Sequence, residues 1–162
     1  MTITAWRIFK KKHRATAFTG DGARLFGGRW NSRGVPVIYT SQSAALAVLE
    51  MLVHLHAQEI LEAYLLAPVN FADTMVETVA RRHLPAGWRK DPPPAAVQAF
   101  GDRWVARRAF AVLRVPSVVI GTEYNYLINP AHPDFGALAF GKPKRFKIDP
   151  RLAKRGERKR GR

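Results

Sequence analysis

"GGRWNSRGVPVIYTSQSAALAVLEMLVHLHAQ", residues Gly27–Gln58, reads as a strand followed by a helix, with a lone carboxylate inside the helix. Val35–Ser41 is rich in β-branched and aromatic residues and follows Gly34, the pattern of a short strand. Ser41 or Ser43 can then cap a helix running from about Ala44 to Ala57. Leu46, Leu49, Val53 and Ala57 form one apolar stripe at helical spacing, while Val48, Met51 and Leu52 make most of the remaining circumference apolar. Glu50 lies beside the stripe, with Arg33 the last charge before it and Glu59 the next after it. A buried carboxylate without a partner is costly. Two readings stay open: a paired structural residue, or a carboxylate kept for chemistry. Arg24, Arg29 and Arg33 are the cations nearest in sequence that could pair with it.

Working outward, Ala63–Asn70 predicts a second buried strand ending near Pro68, and Asp73 predicts the cap of a short helix through Arg82. The prolines of Leu84–Pro94 require a loop. Ala95 to about Ala109 has the pattern of an amphipathic helix exposing Arg103, Arg107 and Arg108. Phe110–Gly121 predicts a strand, a kink at Pro116 and a second strand, and Tyr124–Phe135 a strand running into a proline-bounded loop. "RFKIDPRL" supplies a final strand. The helices are too few for a doubly wound parallel sheet, so the expected fold is a single α+β domain with a mixed sheet and flanking helices.

A chain of 162 residues, 47% apolar, fits one folded domain. It has no cysteine, which removes disulfides and thiolate metal sites. The basic N-terminal segment lacks the apolar region of a signal peptide, and no run reaches the length of a membrane span, so a cytoplasmic protein without membrane contact is expected. The net charge of +15 is concentrated at the ends: residues 1–33 carry +7, residues 142–162 carry +9, and the body between carries −1. The basic segment 153–162 reads as a solvated, poorly ordered tail whose bias favours anionic partners. A nucleic-acid-binding module without catalysis is therefore the alternative function.

The local motifs are individually weak. "GARLFGGRWNSRG" (Gly22–Gly34) is a glycine- and arginine-rich loop suited to a close approach by phosphate, but it is neither a Walker loop nor a dinucleotide fingerprint. His54 and His56 point to different helix faces, and His13, His83 and His132 lack neighbours at ligand spacing, so no metal is expected. Ser117 in "VPSVV" is not in a nucleophile elbow and reads locally as a strand serine bonded to backbone; Tyr39 reads locally as packing.

In combination, "WRIF", "GGRWNSRGVPVIYTS", "SAALAVLEMLVH", "LRVPSVV", "NYLINPAHPDF" and "FKIDPRL" resemble the RES-domain toxins of bacterial toxin–antitoxin systems, over residues 1–152. The resemblance implies a fold similar to ADP-ribosyltransferases and cleavage of the nicotinamide–ribose bond of NAD⁺, by hydrolysis, phosphorolysis or transfer of ADP-ribose to a protein. NAD⁺ would be the substrate and not a resident cofactor, with inorganic phosphate as co-substrate in the phosphorolytic version. The Arg, Glu and Ser that name the family fall on Arg29, Glu50 and Ser117, the implied catalytic residues. Arg7, Tyr39, Asn125 and Asn129 fall on implied NAD-pocket positions. The implied roles are charge stabilisation on the ribose by Glu50 and a grip on the pyrophosphate by Arg29 and Arg7. Tyr39 would pack on nicotinamide or ribose, and Ser117 would orient that end of the substrate. The implied partner is an Xre-like helix-turn-helix antitoxin, with the toxin in a homodimer or a larger complex.

Overall fold

The computed structural model describes residues 1–55, 59 and 62–153. The basic segment 154–162, the expected last residue of the central helix (Ala57) and His56 lie outside the described residues. The expected α+β class is observed: eight strands form one sheet in the order β4–β5–β6–β2–β1–β3–β7, with β8 also paired to β3. The strands are β1 Thr2–Lys10, β2 Ile38–Ser41, β3 Tyr64–Ala72, β4 Val76–Thr78, β5 Val112–Pro116, β6 Tyr124–Ile128, β7 Ala139–Phe140 and β8 Lys144–Phe146. Among the described residues only β4 and β5 pair in parallel, and three α-helices accompany the strands: α1 Asp21–Phe26, α2 Ala44–Leu52 and α3 Ala95–Arg107.

Period-two alternation gives the sheet two apolar faces. On one, Ala5, Ile38, Val69, Val112, Tyr126 and Ile128 pack with Phe18, Phe135 and Phe140. On the other, Leu113, Val115 and Leu127 pack against Trp30, Val37 and the α3 residues Val97, Trp104 and Val105. Asn125 is two residues before Leu127 and is the cross-strand partner of both Ser41 and Val115. It therefore falls on the α3 side of the sheet, at the end where β2 and β5 finish and β6 begins.

Several local expectations are corrected. Pro68 lies inside β3, opposite Trp6 of β1. Its outer neighbours are β8 at Tyr64–Leu66 and β7 at Val69–Asn70, so its missing N–H falls in the gap between two short edge strands, while its carbonyl accepts from Gly141. The helix expected from Asp73 is a 3-10 turn over Asp73–Met75, followed by β4 on the edge of β5. Central helix α2 stops at Leu52, where i−3 bonds from His54 and Leu55 tighten the chain for its return to β3. No second strand follows Pro116, because the Ser117 side chain draws the backbone into a turn. Thr2–Lys10, where no strand was expected, is β1, paired along its whole length with β3.

Candidate functional site

Ser43 is the cap of α2, accepting from the Leu46 N–H at 3.0 Å, so the helix starts directly beyond the end of β2. Its buried residues Leu46, Ala47 and Val48 fix its seating, and Glu50 is carried back towards the ends of β5 and β6 as a half-buried side chain. There, Glu50 Oε1 accepts from the Ser117 hydroxyl at 2.7 Å and from the Asn125 amide at 2.6 Å. The partners of the lone carboxylate are thus polar neutral groups and not the arginines expected from sequence proximity. Arg24 pairs with Asp21 instead, and Arg29 donates to backbone carbonyls. Asn125 Oδ1 accepts in turn from Ser41 at 2.9 Å. Ser41, Glu50, Ser117 and Asn125 form one connected cluster.

The local reading of Ser117 as a serine bonded to backbone holds, although in the turn after β5 and not within a strand. Its hydroxyl oxygen accepts from the Val119 and Ile120 N–H groups at 3.1 and 3.0 Å, holding the turn after β5. With those acceptor positions filled, its proton is free to go to Glu50. The serine is 1% exposed, so this geometry is set by the protein and not by solvent.

Beside the cluster the sheet opens. Strands β1 and β2 pair at a single position, Trp6 with Ser41, and beyond it the Arg7 Nη1 donates to the Tyr39 carbonyl at 2.7 Å. Arg7 thus bridges the split in place of a backbone ladder. Its Nε is buried without a hydrogen-bond partner, and burial lowers its pKa to about 10.

Tyr39 links the split to the glycine-rich loop. Its hydroxyl accepts from the Trp30 N–H at 3.1 Å and donates to Asn31 Oδ1 at 2.6 Å; burial pushes the phenol pKa up, so the group stays neutral. A Cβ on Gly28 would sit 2.6 Å from that hydroxyl and 2.7 Å from Asn31 Oδ1, which is why glycine occupies this position. From below, α3 holds the loop through Gln98 to the Gly28 carbonyl and Asp102 to the Ser32 N–H. A Cβ on Gly101 would meet the Trp30 carbonyl oxygen at 1.7 Å, so helix and loop are in direct backbone contact.

On this platform Arg29 donates through Nη1 to the carbonyls of Trp88 and Lys90, at 2.9 and 2.6 Å, tying the proline loop to the glycine loop. Its Nε and Nη2 have no partner among the described residues. The structure therefore joins Glu50, Ser117 and Asn125 directly, joins Arg7 to Tyr39, and holds Arg29 on the loop anchored by Tyr39. Asn129 is elsewhere: fully buried just after β6, it donates to the Val105 carbonyl and accepts from the Ala131 N–H, closing a turn against α3. Sequence reasoning missed Ser41 as part of the cluster, reading it only as a cap candidate. No local signal marks it, because only the β2–β6 register sets it opposite Asn125, 84 residues away. No three His, Asp or Glu side chains converge as a metal site among the described residues.

The chain is similar to known proteins in sequence and in fold. The family model described as "RES domain" matches residues 4–149. "Toxin Res" of Yersinia enterocolitica is 36% identical over 91% of this chain and 97% of its own length. The "Prs ADP-ribosylating toxin" of a Sphingobium strain is 36% identical over 96% of this chain and 99% of its own. Among solved structures, the M. tuberculosis MbcT–MbcA toxin–antitoxin complex contains a chain that superposes with a TM-score of 0.69 at 21% identity, covering 94% of this chain and 87% of that one, a likeness of fold.

Proposed function

The chain belongs to the RES-domain toxin family, and we propose that it is a growth-arresting toxin that cleaves the nicotinamide–ribose bond of NAD⁺. The observation that carries this reading is the 2.7 Å bond between Glu50 and Ser117, 67 residues apart in sequence, in a cluster beside the split bridged by Arg7. As the C–N bond breaks, its electron pair leaves with neutral nicotinamide and positive charge develops on the ribose. Glu50, rigidly held through Oε1, presents negative charge to that centre and accepts from a ribose hydroxyl through Oε2. Such fixed charge acts most strongly where charge develops in the transition state. Arg7 and Arg29 grip the pyrophosphate, and Ser117 and Asn125 hold the carboxylate.

The acceptor then adds to the ribose carbon and gives up its proton. Water yields ADP-ribose, phosphate yields ADP-ribose-1″-phosphate, and a protein nucleophile yields a modified protein. The Sphingobium relative's name, an ADP-ribosylating toxin, keeps the last of these in view. An Xre-like antitoxin covers the site in the cytoplasm; the toxin–antitoxin complex in which the solved neighbour was found supports an antitoxin partner. Incubation of purified protein with NAD⁺, in the presence and absence of phosphate, with identification of the sugar product by mass spectrometry, tests the reading. Nicotinamide release with one of the three products is expected; intact NAD⁺ from folded protein would overturn it.

A further inference from the structure

Ser41 has no part in the chemistry described so far, although it is 5% exposed at the end of β2 and donates to Asn125 Oδ1. Its importance follows from the two ends of the Asn125 amide. A carboxylate only accepts, so the end of the amide 2.6 Å from Glu50 Oε1 must be the NH₂. The carbonyl must then face Ser41, whose hydroxyl is its one side-chain donor among the described residues. Ser117 is oriented by the same logic, since its oxygen already accepts two backbone N–H groups. Both donors converge on Oε1, and none of the described residues bonds Oε2.

We propose that Ser41 is a positioning residue: by holding the Asn125 amide it makes Oε1 of Glu50 the anchored oxygen and leaves Oε2 as the one that meets substrate. The inference rests on the reading of Glu50 as the catalytic carboxylate. Without the Ser41 hydroxyl, the half-buried Asn125 carbonyl loses its donor and the amide turns to find another. Glu50 then keeps one anchor of two and rotates about its last bond. The loss is one of geometry at the reacting atom, where displacements of about 1 Å cost up to roughly 10²-fold.

The test measures nicotinamide release by wild type, Ser41→Ala, Ser41→Thr, Asn125→Ala and the Ser41→Ala/Asn125→Ala double variant. Ser41→Ala should lower kcat about tenfold, equivalent to about 1.4 kcal/mol, with KM for NAD⁺ changed less than about twofold. Ser41→Thr, which keeps the hydroxyl, should restore most of the rate. In the Asn125→Ala background the Ser41→Ala change should have no further effect, because the group it acts through is gone. Undiminished kcat in Ser41→Ala, or a further tenfold loss in the double variant, would overturn the proposal. Should Ser41→Ala not fold, Ser41→Cys, similar in shape but a weak donor, carries the same expectation. A folded wild type that releases no nicotinamide overturns the Glu50 reading and this inference with it. Wild-type release with a fully active Ser41→Ala overturns this inference only.

Discussion

Replacing Ser117 by alanine removes one oxygen and three hydrogen bonds: those accepted from Val119 and Ile120 and the one donated to Glu50. The site is closed to water at the serine itself, which is 1% exposed, although both N–H donors belong to half-buried residues. A net hydrogen bond contributes about 1 kcal/mol, and a buried group left unpaired costs roughly 1–3 kcal/mol. With partial access of water to the two N–H groups, the lower part of that range applies, and about 3 kcal/mol in total is expected. For a domain of this size each kcal/mol moves the thermal midpoint by about 2–4 °C, so a fall of roughly 6–12 °C should be seen by calorimetry. Nicotinamide release should fall too, because Glu50 loses an anchor. A Ser117→Ala protein that melts with wild type and retains full turnover would refute the bonding pattern described here.

Two further substitutions test the platform beneath the site. Gly101→Ala would ordinarily stabilise an exposed helix interior by about 1 kcal/mol, but here the new Cβ meets the Trp30 carbonyl oxygen at 1.7 Å and forces helix and loop apart. A net loss of about 1–3 kcal/mol in denaturant unfolding is expected, and a gain in stability would contradict the close contact. Arg29→Ala should raise KM for NAD⁺ at least tenfold, the loss of one charge-assisted bond of roughly 1.5–3 kcal/mol, while costing little stability because the carbonyls it serves lie on a partly exposed loop. Unchanged steady-state kinetics would remove Arg29 from the pocket.

The sequence carried the β2–α2 unit clearly, because strand alternation, a serine cap and a helical apolar stripe are all local signals. The oddity of Glu50 was legible for the same reason: an uncharged run makes one carboxylate conspicuous. Its partners were not. Ser117 and Asn125 lie 67 and 75 residues away and reach Glu50 only because the end of β5 and the start of β6 lie at the end of the sheet where β2 finishes, whereas Arg24, Arg29 and Arg33 are near in sequence and bonded elsewhere or facing solvent. Pro68 misled because its effect depends on what pairs on the N–H side, and that is decided by the separation of β7 and β8. The Asp73 segment misled for a related reason: β4 exists as an edge added to β5, and nothing local to Val76–Thr78 announces that neighbour. Asn129 shares the "NYLIN" segment with Asn125 but lies beyond the other end of β6, where α3 uses its amide. Proximity in a motif therefore did not translate into proximity in the site.

If the negative charge of Glu50 drives bond cleavage, Glu50→Gln isolates its contribution. Glutamine keeps a side-chain oxygen able to accept from Ser117 and Asn125, so the thermal midpoint should stay within about 3 °C of wild type, roughly the effect of 1 kcal/mol. The decisive measurement is nicotinamide release by purified Glu50→Gln protein, with NAD⁺ affinity determined in parallel. Turnover should fall by about 10²-fold or more with affinity changed only a few-fold, because the charge serves the transition state and not the ground state. Release at a near-wild-type rate from the folded variant would contradict that role of the charge.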